Sequence, residues 1–435
     1  MKYYIIAGEA SGDLHGSNLM KGIYAEDPKA EIRFWGGDLM LNVYNAGDSS
    51  TAQNNPSHDV VAGLLAAKVH RTFGQSLASP CGQGGSTVLT GTAATGLVRH
   101  YKEGAVMGFV EVLAKAGKLL KNVKFCKEDI LAWKPDVVIL IDYPGFNFKI
   151  AEFAHKAGFK VFYYIAPKVW ASRESRIKKL KAYVDKLFIV LPFEKAYFDA
   201  KGVEYIYKGN PLVDAVDGSP AMLESRQDFL ERAGLEDKPI IAMLAGSRKG
   251  EISTMMPVLT EFAGKMHSLA KYSGYQFLIA GAPSRTMKDY EPWLTRENRK
   301  YIKVLFGETQ SIIRHAEAGV INSGTASLET ALFGTPQVVG YITNPLTYRI
   351  AKKIVKIKYI SLGNLIIDRL AFKEFIQDEC NSDALVAEIR ELIENQERKT
   401  KMLADYADIR NALGGTGASS AVAKAMIEEL KADRK

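Results

Sequence analysis

The chain has 435 residues, of which 47% are hydrophobic and 24% are charged, and its formal net charge is +8. These proportions exclude a disordered or fibrous protein, and the length favours two or three domains. The three cysteines form no C-x-x-C pair and the seven histidines no H-x-x-x-H spacing, so we expect a reducing compartment, no disulfide framework and no metal. No cofactor is predicted either.

The amino terminus, MKYYIIAGEASGD, has the pattern of a short strand followed by a glycine loop, without the features of a signal peptide. No run approaches the about 18 apolar residues that a membrane-spanning helix needs. We therefore predict a cytoplasmic protein. Its positive charge predicts an anionic partner, which by composition alone could be a nucleic acid, a phosphorylated substrate or an anionic membrane surface.

Apolar runs typical of buried strands alternate with helical patterns along the chain, which predicts parallel α/β sheets. The predicted strands are 3–7, 137–141, 160–165, 186–191, 239–244, 276–281, 318–323 and 336–341. Predicted helices between them include 222–233, 253–271 and 325–333. The alternation restarts after a segment at 210–221 that holds two prolines and a glycine. We predict two doubly wound halves facing a cleft, residues 1–210 and 211–435, the second ending in helices.

One segment interrupts this pattern. From Asn45 to Gly96 more than half of the residues are Gly, Ala, Ser or Thr, and charged residues nearly vanish. Such a composition buries too little apolar surface to offset the entropy of ordering the chain, so we predict a disordered or loosely ordered insertion at 41–96. A phosphate-binding loop is the alternative, but the segment has no Gly-Lys-Ser/Thr.

The loops after the predicted strands are the candidate binding sites, because ligands of open α/β sheets bind beyond the carboxyl ends of the strands. After the first strand comes AGEASGDLHG, in which Gly8 and Gly12 allow a tight turn and Ser11 or Asp13 can cap the next helix. Glu9 would repel phosphates, which favours a hydroxyl-bearing substrate here. We take Glu9, Ser11 and Gly12 as candidate binding residues, with a plain strand-to-helix turn as the alternative.

A second loop, AGSRKGEI, follows the strand at 239–244. Gly246 allows close approach, Ser247 offers a hydroxyl and a helix cap, and the planar cation of Arg248 suits a phosphate.

A third loop, NSGTASLE, follows the strand at 318–323. Ser323, Gly324 and Thr325 would present free backbone N–H groups to an anion at a helix start, and Glu329 could hold ribose hydroxyls. With the Arg248 loop, it predicts a nucleotide-diphosphate pocket that needs no metal.

Nine stretches together resemble the lipid-A-disaccharide synthase family, which is glycosyltransferase family 19 and has the two-Rossmann-domain GT-B fold. They keep the family's order and cover nearly the whole chain outside 41–96. The stretches are AGEASGD (7–13), AVMGFVEVL (105–113), IDYPGFN (141–147), YIAPKVWA (164–171), LPFE (191–194), GNP (209–211), GSRKGEI (246–252), NSGTASLETAL (322–332) and YISLGNLI (359–366).

The resemblance implies an inverting transfer from a UDP-linked diacylglucosamine to the 6-hydroxyl of diacylglucosamine 1-phosphate (lipid X), giving the β-1′,6-linked lipid A disaccharide and UDP. By the same resemblance Asn210 and Glu251 join the candidate substrate-binding residues.

Asp142 ends the apolar run VVILI and is followed by Tyr-Pro-Gly. It matches the family position proposed for the base that takes the acceptor proton, and Arg248 would take the diphosphate charge. A structural turn is the plain alternative for Asp142, and Glu9 is the rival base.

Several residues depart from the family's usual pattern. Ala166 and Lys168 stand where a Ser-Pro-Gln or Ser-Pro-Ser sequence is usual, and Ser172 where tryptophan is common. Asn210 stands where histidine is frequent, and Gly363 replaces a usual proline. These departures affect the expected acceptor contacts and leave the reaction class unchanged.

Acylated substrates imply contact with an anionic inner-membrane surface. The segment 109–131 has an apolar face flanked by lysines, as in a helix that lies on lipid, and 348–359 has a similar pattern. A helix packed on its own sheet is the alternative. Nucleic acid is not predicted, because the lysines lack interleaved aromatic residues. The oligomeric state stays open.

Two other functions remain as alternatives. One is a UDP-N-acetylglucosamine 2-epimerase-like enzyme, which would consume a soluble sugar nucleotide without an acceptor. The other is a non-catalytic UDP-sugar-binding protein, disabled by the insertion at 41–96.

Overall fold

Two parallel β-sheets organise the chain, whose computed structural model describes residues 1–47, 96–104, 111–345, 348, 349, 352 and 357–433. The first sheet has the order β3-β2-β1-β4-β5-β6-β7 and the second β10-β9-β8-β11-β12-β13. Every neighbouring pair in both sheets is parallel. This architecture confirms the predicted α/β class with two Rossmann-like halves.

The strands of the first sheet are buried on both faces. In β1 the side chains of Tyr3 and Ile5 enter one apolar cluster, and those of Tyr4 and Ile6 enter another on the opposite face. This burial explains why the strands have continuous apolar runs instead of an alternating pattern. The strands are β1 (Lys2–Ala7), β2 (Glu31–Gly36), β3 (Leu97–His100), β4 (Val137–Ile141), β5 (Lys160–Tyr164), β6 (Lys186–Ile189) and β7 (Ile206–Tyr207).

Helices cover both faces of the first sheet. They are α1 (Ala10–Glu26), α2 (Asp38–Gly47), α3 (Glu111–Trp133), α4 (Pro144–Lys156), α5 (Ile177–Tyr183) and α6 (Glu194–Ala200). α2 extends to Gly47 and packs on α1, so the first residues of the predicted insertion at 41–96 belong to this fold. Most of that segment lies outside the described residues, as do residues 350, 351 and 353–356 of the predicted basic stretch 348–359.

The second half repeats the design. Its strands are β8 (Ile240–Leu244), β9 (Gln276–Gly281), β10 (Ile302–Phe306), β11 (Ala318–Asn322), β12 (Gln337–Tyr341) and β13 (Glu374–Ile376). The helices that follow the first half are α7 (Pro211–Asp217), α8 (Pro220–Leu223), α9 (Arg226–Ala233), α10 (Lys249–Ser268), α11 (Thr309–His315), α12 (Thr325–Phe333), α13 (Leu362–Ile367), α14 (Ser382–Glu394), α15 (Gln396–Leu413) and α16 (Ala418–Ala432).

The last helix returns to the first half, although the sequence assigned all of 211–435 to the second. α16 packs along α1, and a Cβ on Gly22 would lie 2.8 Å from the Cβ of Ala423. Lys186 of β6 pairs with Glu429 at 2.7 Å. The helical pattern of 418–432 was visible in the sequence, but only the tertiary structure reveals which sheet it covers. The division near residue 210 stays a prediction.

The lysine-flanked segment 109–131 forms most of α3. Val123 and Ile130 are buried in the apolar cluster that also contains Tyr4 and Ile6 of β1, so this part of the helix packs on its own sheet. Leu120, Phe125 and Leu131 stay 58%, 43% and 48% exposed. Residues 109 and 110 lie outside the described residues. No helix in the described part of the chain is long and apolar enough to cross a bilayer.

Candidate functional site

The turn after β4 has a strained backbone. Asp142 and Tyr143 have φ of 43° and 44°, in the left-handed region that residues other than glycine seldom adopt. β4 ends beside β1, with Ile141 opposite Ala7, so Asp142 emerges at the edge where the first glycine loop also begins. Strain of this kind costs about 1–3 kcal/mol per residue and persists only where surrounding contacts hold it.

Three neighbours hold this turn in place. The carbonyl oxygen of Asp142 accepts hydrogen bonds from Asn147 Nδ2 at 2.7 Å and from the Tyr163 hydroxyl at 2.6 Å. The Tyr143 ring lies against Gly8, where an added Cβ would come within 2.3 Å of the ring. The Asp142 backbone is therefore held through its carbonyl group while its side chain is left to face the cleft.

Asp142 lines a cavity of about 80 Å³ between the two halves. Ser11, Gly12 and Asn210 from the first half line it too, and Thr325 of α12 lines it from the second half. The structure thus brings together candidates from four separate segments, which follow β1, β4, β7 and β11. A larger opening of about 400 Å³ at 207–209 and 412–421 has no carboxylate among its lining residues, so the smaller cavity is the candidate site.

Burial shifts the pKa values of the ionisable side chains that line this cavity. Desolvation raises the pKa of the Asp142 carboxyl above its usual 3.8, while Lys168 lowers it and Glu9 raises it further. A carboxylate with a raised pKa is a stronger base. Desolvation also lowers the pKa of His15 to about 4, so this residue is neutral at pH 7.

Glu194 is a second carboxyl in the cavity wall. It is buried at the start of α6, and burial raises its pKa to about 7. Its oxygens accept hydrogen bonds from the backbone N–H groups of Val190 and Leu191 and, at 3.1 Å, from Trp170 Nε1. These bonds tie the loop after β5 to the loop after β6.

Glu9 and Arg248 meet across the cleft. Arg248 Nη2 lies 3.0 Å and 3.2 Å from the two carboxylate oxygens of Glu9, and Arg248 Nη1 donates to Glu251 at 3.2 Å. The first loop of each half therefore contacts the other through an ion pair. The sequence selected both residues but did not pair them, because 239 positions separate them.

The Arg248 loop depends on Gly246. Its φ is 107°, and an added Cβ would lie 2.4 Å from Asn322 Nδ2 and 2.7 Å from Glu251. The Glu251 carboxylate accepts the backbone N–H groups of Ser247 and Arg248 at 3.0 Å and 3.2 Å. Glu251 thus supports the turn that presents Arg248.

The Ser323 loop differs from its prediction in one respect. The N–H group of Ser323 is not free, because it donates to the Gly340 carbonyl at 3.2 Å, and its hydroxyl donates to the Ile360 carbonyl at the same distance. β12 runs alongside β11 and supplies that acceptor, which the sequence did not reveal. Gly324 precedes α12 in extended conformation, and Thr325 begins the helix.

Two further candidates have internal partners. The Asn210 side chain accepts the Leu212 N–H at 2.9 Å and donates to the Val190 carbonyl at 2.9 Å, so it caps α7. Glu329 accepts from Gln310 at 2.8 Å, and burial raises its pKa. Their binding roles stay predictions.

Asp13 does not cap its own helix, in contrast to the expectation for it. Its buried carboxylate accepts the N–H groups of Gly37, Leu39 and Met40 at 2.7–3.1 Å. The side chain therefore caps the start of α2, which lies next to α1 in space and is not adjacent in sequence.

Sequence reasoning missed four residues around Asp142: Asn147, Tyr163, Glu194 and His15. Asn147 and Glu194 do lie inside the stretches IDYPGFN and LPFE, and that position was the available signal. Nothing in the sequence singled out Tyr163, a buried strand residue, or His15.

Comparison with known proteins identifies related sequences. The family model for lipid-A-disaccharide synthetase matches residues 78–427. The lipid-A-disaccharide synthase of Geobacter metallireducens is 34% identical over 427 residues, which cover 98% of this chain and 96% of that protein. The lipid-A-disaccharide synthase of Myxococcus xanthus is 33% identical over 433 residues, which cover 99% of this chain and 98% of that protein.

Solved structures support the fold. A UDP-GlcNAc 2-epimerase from Neisseria meningitidis bound to UDP-GlcNAc has a TM-score of 0.62 at 13% identity, covering 98% of this chain and 100% of that one. A UDP-N-acetylglucosamine 2-epimerase from Listeria monocytogenes, with a TM-score of 0.60 at 13% identity, covers 97% of this chain and 94% of that one. At this identity the likeness shows the shared GT-B fold and does not favour epimerase activity.

Proposed function

The chain belongs to the lipid-A-disaccharide synthase family of GT-B glycosyltransferases, and on this premise we propose that it joins UDP-2,3-diacylglucosamine to 2,3-diacylglucosamine 1-phosphate (lipid X). The products are the β-1′,6-linked disaccharide 1-phosphate and UDP. The observation that carries this proposal is the position of Asp142, a desolvated carboxylate in a cavity that Thr325, at the start of α12, also lines.

In the proposed reaction the acceptor's 6-hydroxyl oxygen attacks the anomeric carbon of the donor. The bond from that carbon to the diphosphate oxygen breaks, and UDP leaves with the electron pair. Asp142 takes the proton of the attacking hydroxyl, a form of help that typically contributes about 10²–10⁴ in rate. Inversion follows from a single displacement.

Arg248 is proposed to stabilise the leaving diphosphate, together with the start of α12 at Gly324 and Thr325. Because Arg248 pairs with Glu9 and Glu251 in this structure, the diphosphate would displace Glu9 when it binds. Glu9 would then be released toward the acceptor hydroxyls. The rival assignment, with Glu9 as the base, has less support because Glu9 is exposed and already paired with a cation.

Membrane contact is proposed for the exposed apolar side chains of α3. Leu120, Phe125 and Leu131 remain accessible beside the exposed lysines 121 and 124, a combination that suits an anionic lipid surface. The protein would then reach its acylated substrates from the cytoplasmic side of the inner membrane.

The test is direct turnover. The purified protein is mixed with UDP-2,3-diacylglucosamine and lipid X in detergent, and mass spectrometry is used to detect disaccharide 1-phosphate and UDP. Formation of both products supports the proposal. UDP binding without product would instead favour the non-catalytic binding protein, and consumption of a soluble UDP-sugar without acceptor would favour an epimerase.

A further inference from the structure

Lys168 is the cation of the cavity wall. It lies in the loop after β5 and lines the same cavity as Asp142 and Glu194. The other ionisable lining residue with a basic group, His15, is neutral at pH 7. Among the residues that line this cavity, Lys168 alone therefore supplies a cationic side chain, and it shares the cavity with two carboxyl groups.

The backbone around Lys168 is fixed. Val169, next in sequence, is buried, and the following Trp170 donates to Glu194 and packs edge-to-face on Phe193 with ring centroids 4.9 Å apart. The carbonyl oxygen of Lys168 accepts the N–H of Ala171 at 3.2 Å. The loop thus presents Lys168 from a preorganised backbone, which lowers the entropic cost of binding a ligand.

The Lys168 ammonium remains available. Its side chain is exposed, and within the described part of the chain it makes no ion pair within 4.0 Å. Its charge nevertheless lowers the pKa of both Asp142 and Glu194, so the ammonium group is close enough to interact with both carboxyl groups of the cavity. Arg248, by contrast, is already shared between Glu9 and Glu251.

An anionic acceptor needs such a cation here. A phosphomonoester carries about −1.5 to −2 charges at pH 7, and it would enter a cavity that already contains the Asp142 carboxylate. Like charges at close range in a desolvated site repel strongly unless a cation lies between or beside them.

We propose that Lys168 binds the phosphomonoester of the acceptor and thereby makes the enzyme select a phosphorylated over a dephosphorylated sugar. This inference rests on the proposed function. The acceptor is favoured over the donor as the ligand because Lys168 and Asp142 both follow strands of the first sheet, whereas the diphosphate candidates Arg248 and Thr325 belong to the second half.

The experiment compares two acceptors across four forms of the full-length protein. The acceptors are 2,3-diacylglucosamine 1-phosphate and the same lipid without its phosphate, and kcat/KM is measured for each at pH 8. The forms are wild type, Lys168→Gln, Lys168→Arg and Lys178→Gln. Lys178 is an exposed lysine on α5 outside the cavity lining and serves as the matched control.

Lys168→Gln is expected to lower kcat/KM for the phosphorylated acceptor about 10- to 100-fold, as for loss of a charge-assisted hydrogen bond. The value for the dephosphorylated acceptor should change less than about threefold. Lys168→Arg should retain most of the preference, Lys178→Gln all of it, and the Kd for UDP should stay unchanged in every form.

Equal losses with both acceptors would overturn the proposal, because Lys168 would then act through Asp142 or the loop. A weaker Kd for UDP in Lys168→Gln would place the charge on the donor and also overturn it. If wild type makes no disaccharide, the proposed function fails. The Lys168 subsite is then tested separately by measuring the affinity of the protein for glucosamine 1-phosphate and for glucosamine. A preference for the phosphorylated sugar that disappears in Lys168→Gln supports the subsite, and an equal affinity for both contradicts it.

Discussion

The two sides of the cleft present their charged groups in different ways. On the first side, Asp142 and Tyr143 carry the positive φ themselves, and Asn147 and Tyr163 hold the Asp142 carbonyl. On the second side, Gly246 takes the positive φ, and Arg248 follows it with ordinary extended backbone. A functional side chain at the turn itself requires a strained backbone with positive φ. A functional side chain next to the turn does not, because a glycine can adopt the positive φ without strain.

The largest expected effect is the loss of turnover when Asp142, on the strained turn after β4, is replaced. Asp142→Asn keeps the shape and tolerates the left-handed backbone but cannot accept a proton. We expect turnover to fall about 10²–10⁴-fold, with the Kd for UDP unchanged. Single-turnover rates and UDP titration check this. Near-normal turnover would exclude Asp142 as the base and return attention to Glu9.

On the glycine side, Arg248→Ala removes the cation from the diphosphate. UDP affinity and kcat/KM should both fall about 10- to 100-fold, as for loss of a charged hydrogen-bond donor. The neighbouring Lys249→Ala is the matched control, since Lys249 is exposed and, among the described residues, makes no ion pair with Glu9 or Glu251. An unchanged UDP affinity in Arg248→Ala would place the diphosphate elsewhere.

Asn147→Ala tests whether the hydrogen bond from Asn147 to the Asp142 carbonyl matters for catalysis. Loss of the 2.7 Å bond should let the strained turn relax and lower kcat about tenfold, with little change in the KM for the UDP-sugar donor. Asn147→Asp keeps the size but cannot donate from its carboxylate, so it should behave like Asn147→Ala. Unchanged kcat in both variants would show that the rest of the fold suffices to hold the turn.

The two turns should respond to glycine with opposite signs. Asp142→Gly should raise the free energy of unfolding by about 1 kcal/mol at pH 7, because it removes strain and a desolvated carboxylate. Gly246→Ala should lower it by about 1–3 kcal/mol, because the Cβ would collide with Asn322 and Glu251.

Urea unfolding measures both changes, and Gly250→Ala is the control for the glycine side because a Cβ there meets nothing within 4 Å. Equal destabilisation by Asp142→Gly and Gly246→Ala would remove the distinction between the two turns.

The smallest expected effect concerns pH. Since the folded pKa of Asp142 is raised, the base is protonated and inactive below a pH higher than its usual value of 3.8. As the pH decreases, activity should therefore be lost on the acidic limb of the pH–rate profile, with a midpoint above 3.8. Lys168→Gln should displace the limb further upward, because Lys168 lowers the pKa of Asp142. A limb that does not move between wild type and this variant would contradict the electrostatic coupling.

Much of the fold could be predicted because its strands are buried on both faces. The eight predicted strands all recur, within one residue at each end except for the run 186–191. β6 ends two residues earlier, and the N–H groups of Val190 and Leu191 donate to Glu194 instead. β2 was missed because its sequence EIRFWG contains charged residues, and Arg33 is stabilised there by Asp129 of α3 at 2.9 Å. No local pattern could show that remote partner.

The sequence by itself determined the α/β class, the loops that carry the candidate residues and, through its ordered motifs, the family. Periodicity and glycine positions are local, so they can be read along the chain. Only the tertiary structure decided that Glu9 meets Arg248, that Asn147 and Tyr163 hold Asp142, and that Lys168 and Glu194 share its cavity. These contacts join residues on different strands and halves, where desolvation and charge depend on which side chains the packing brings together.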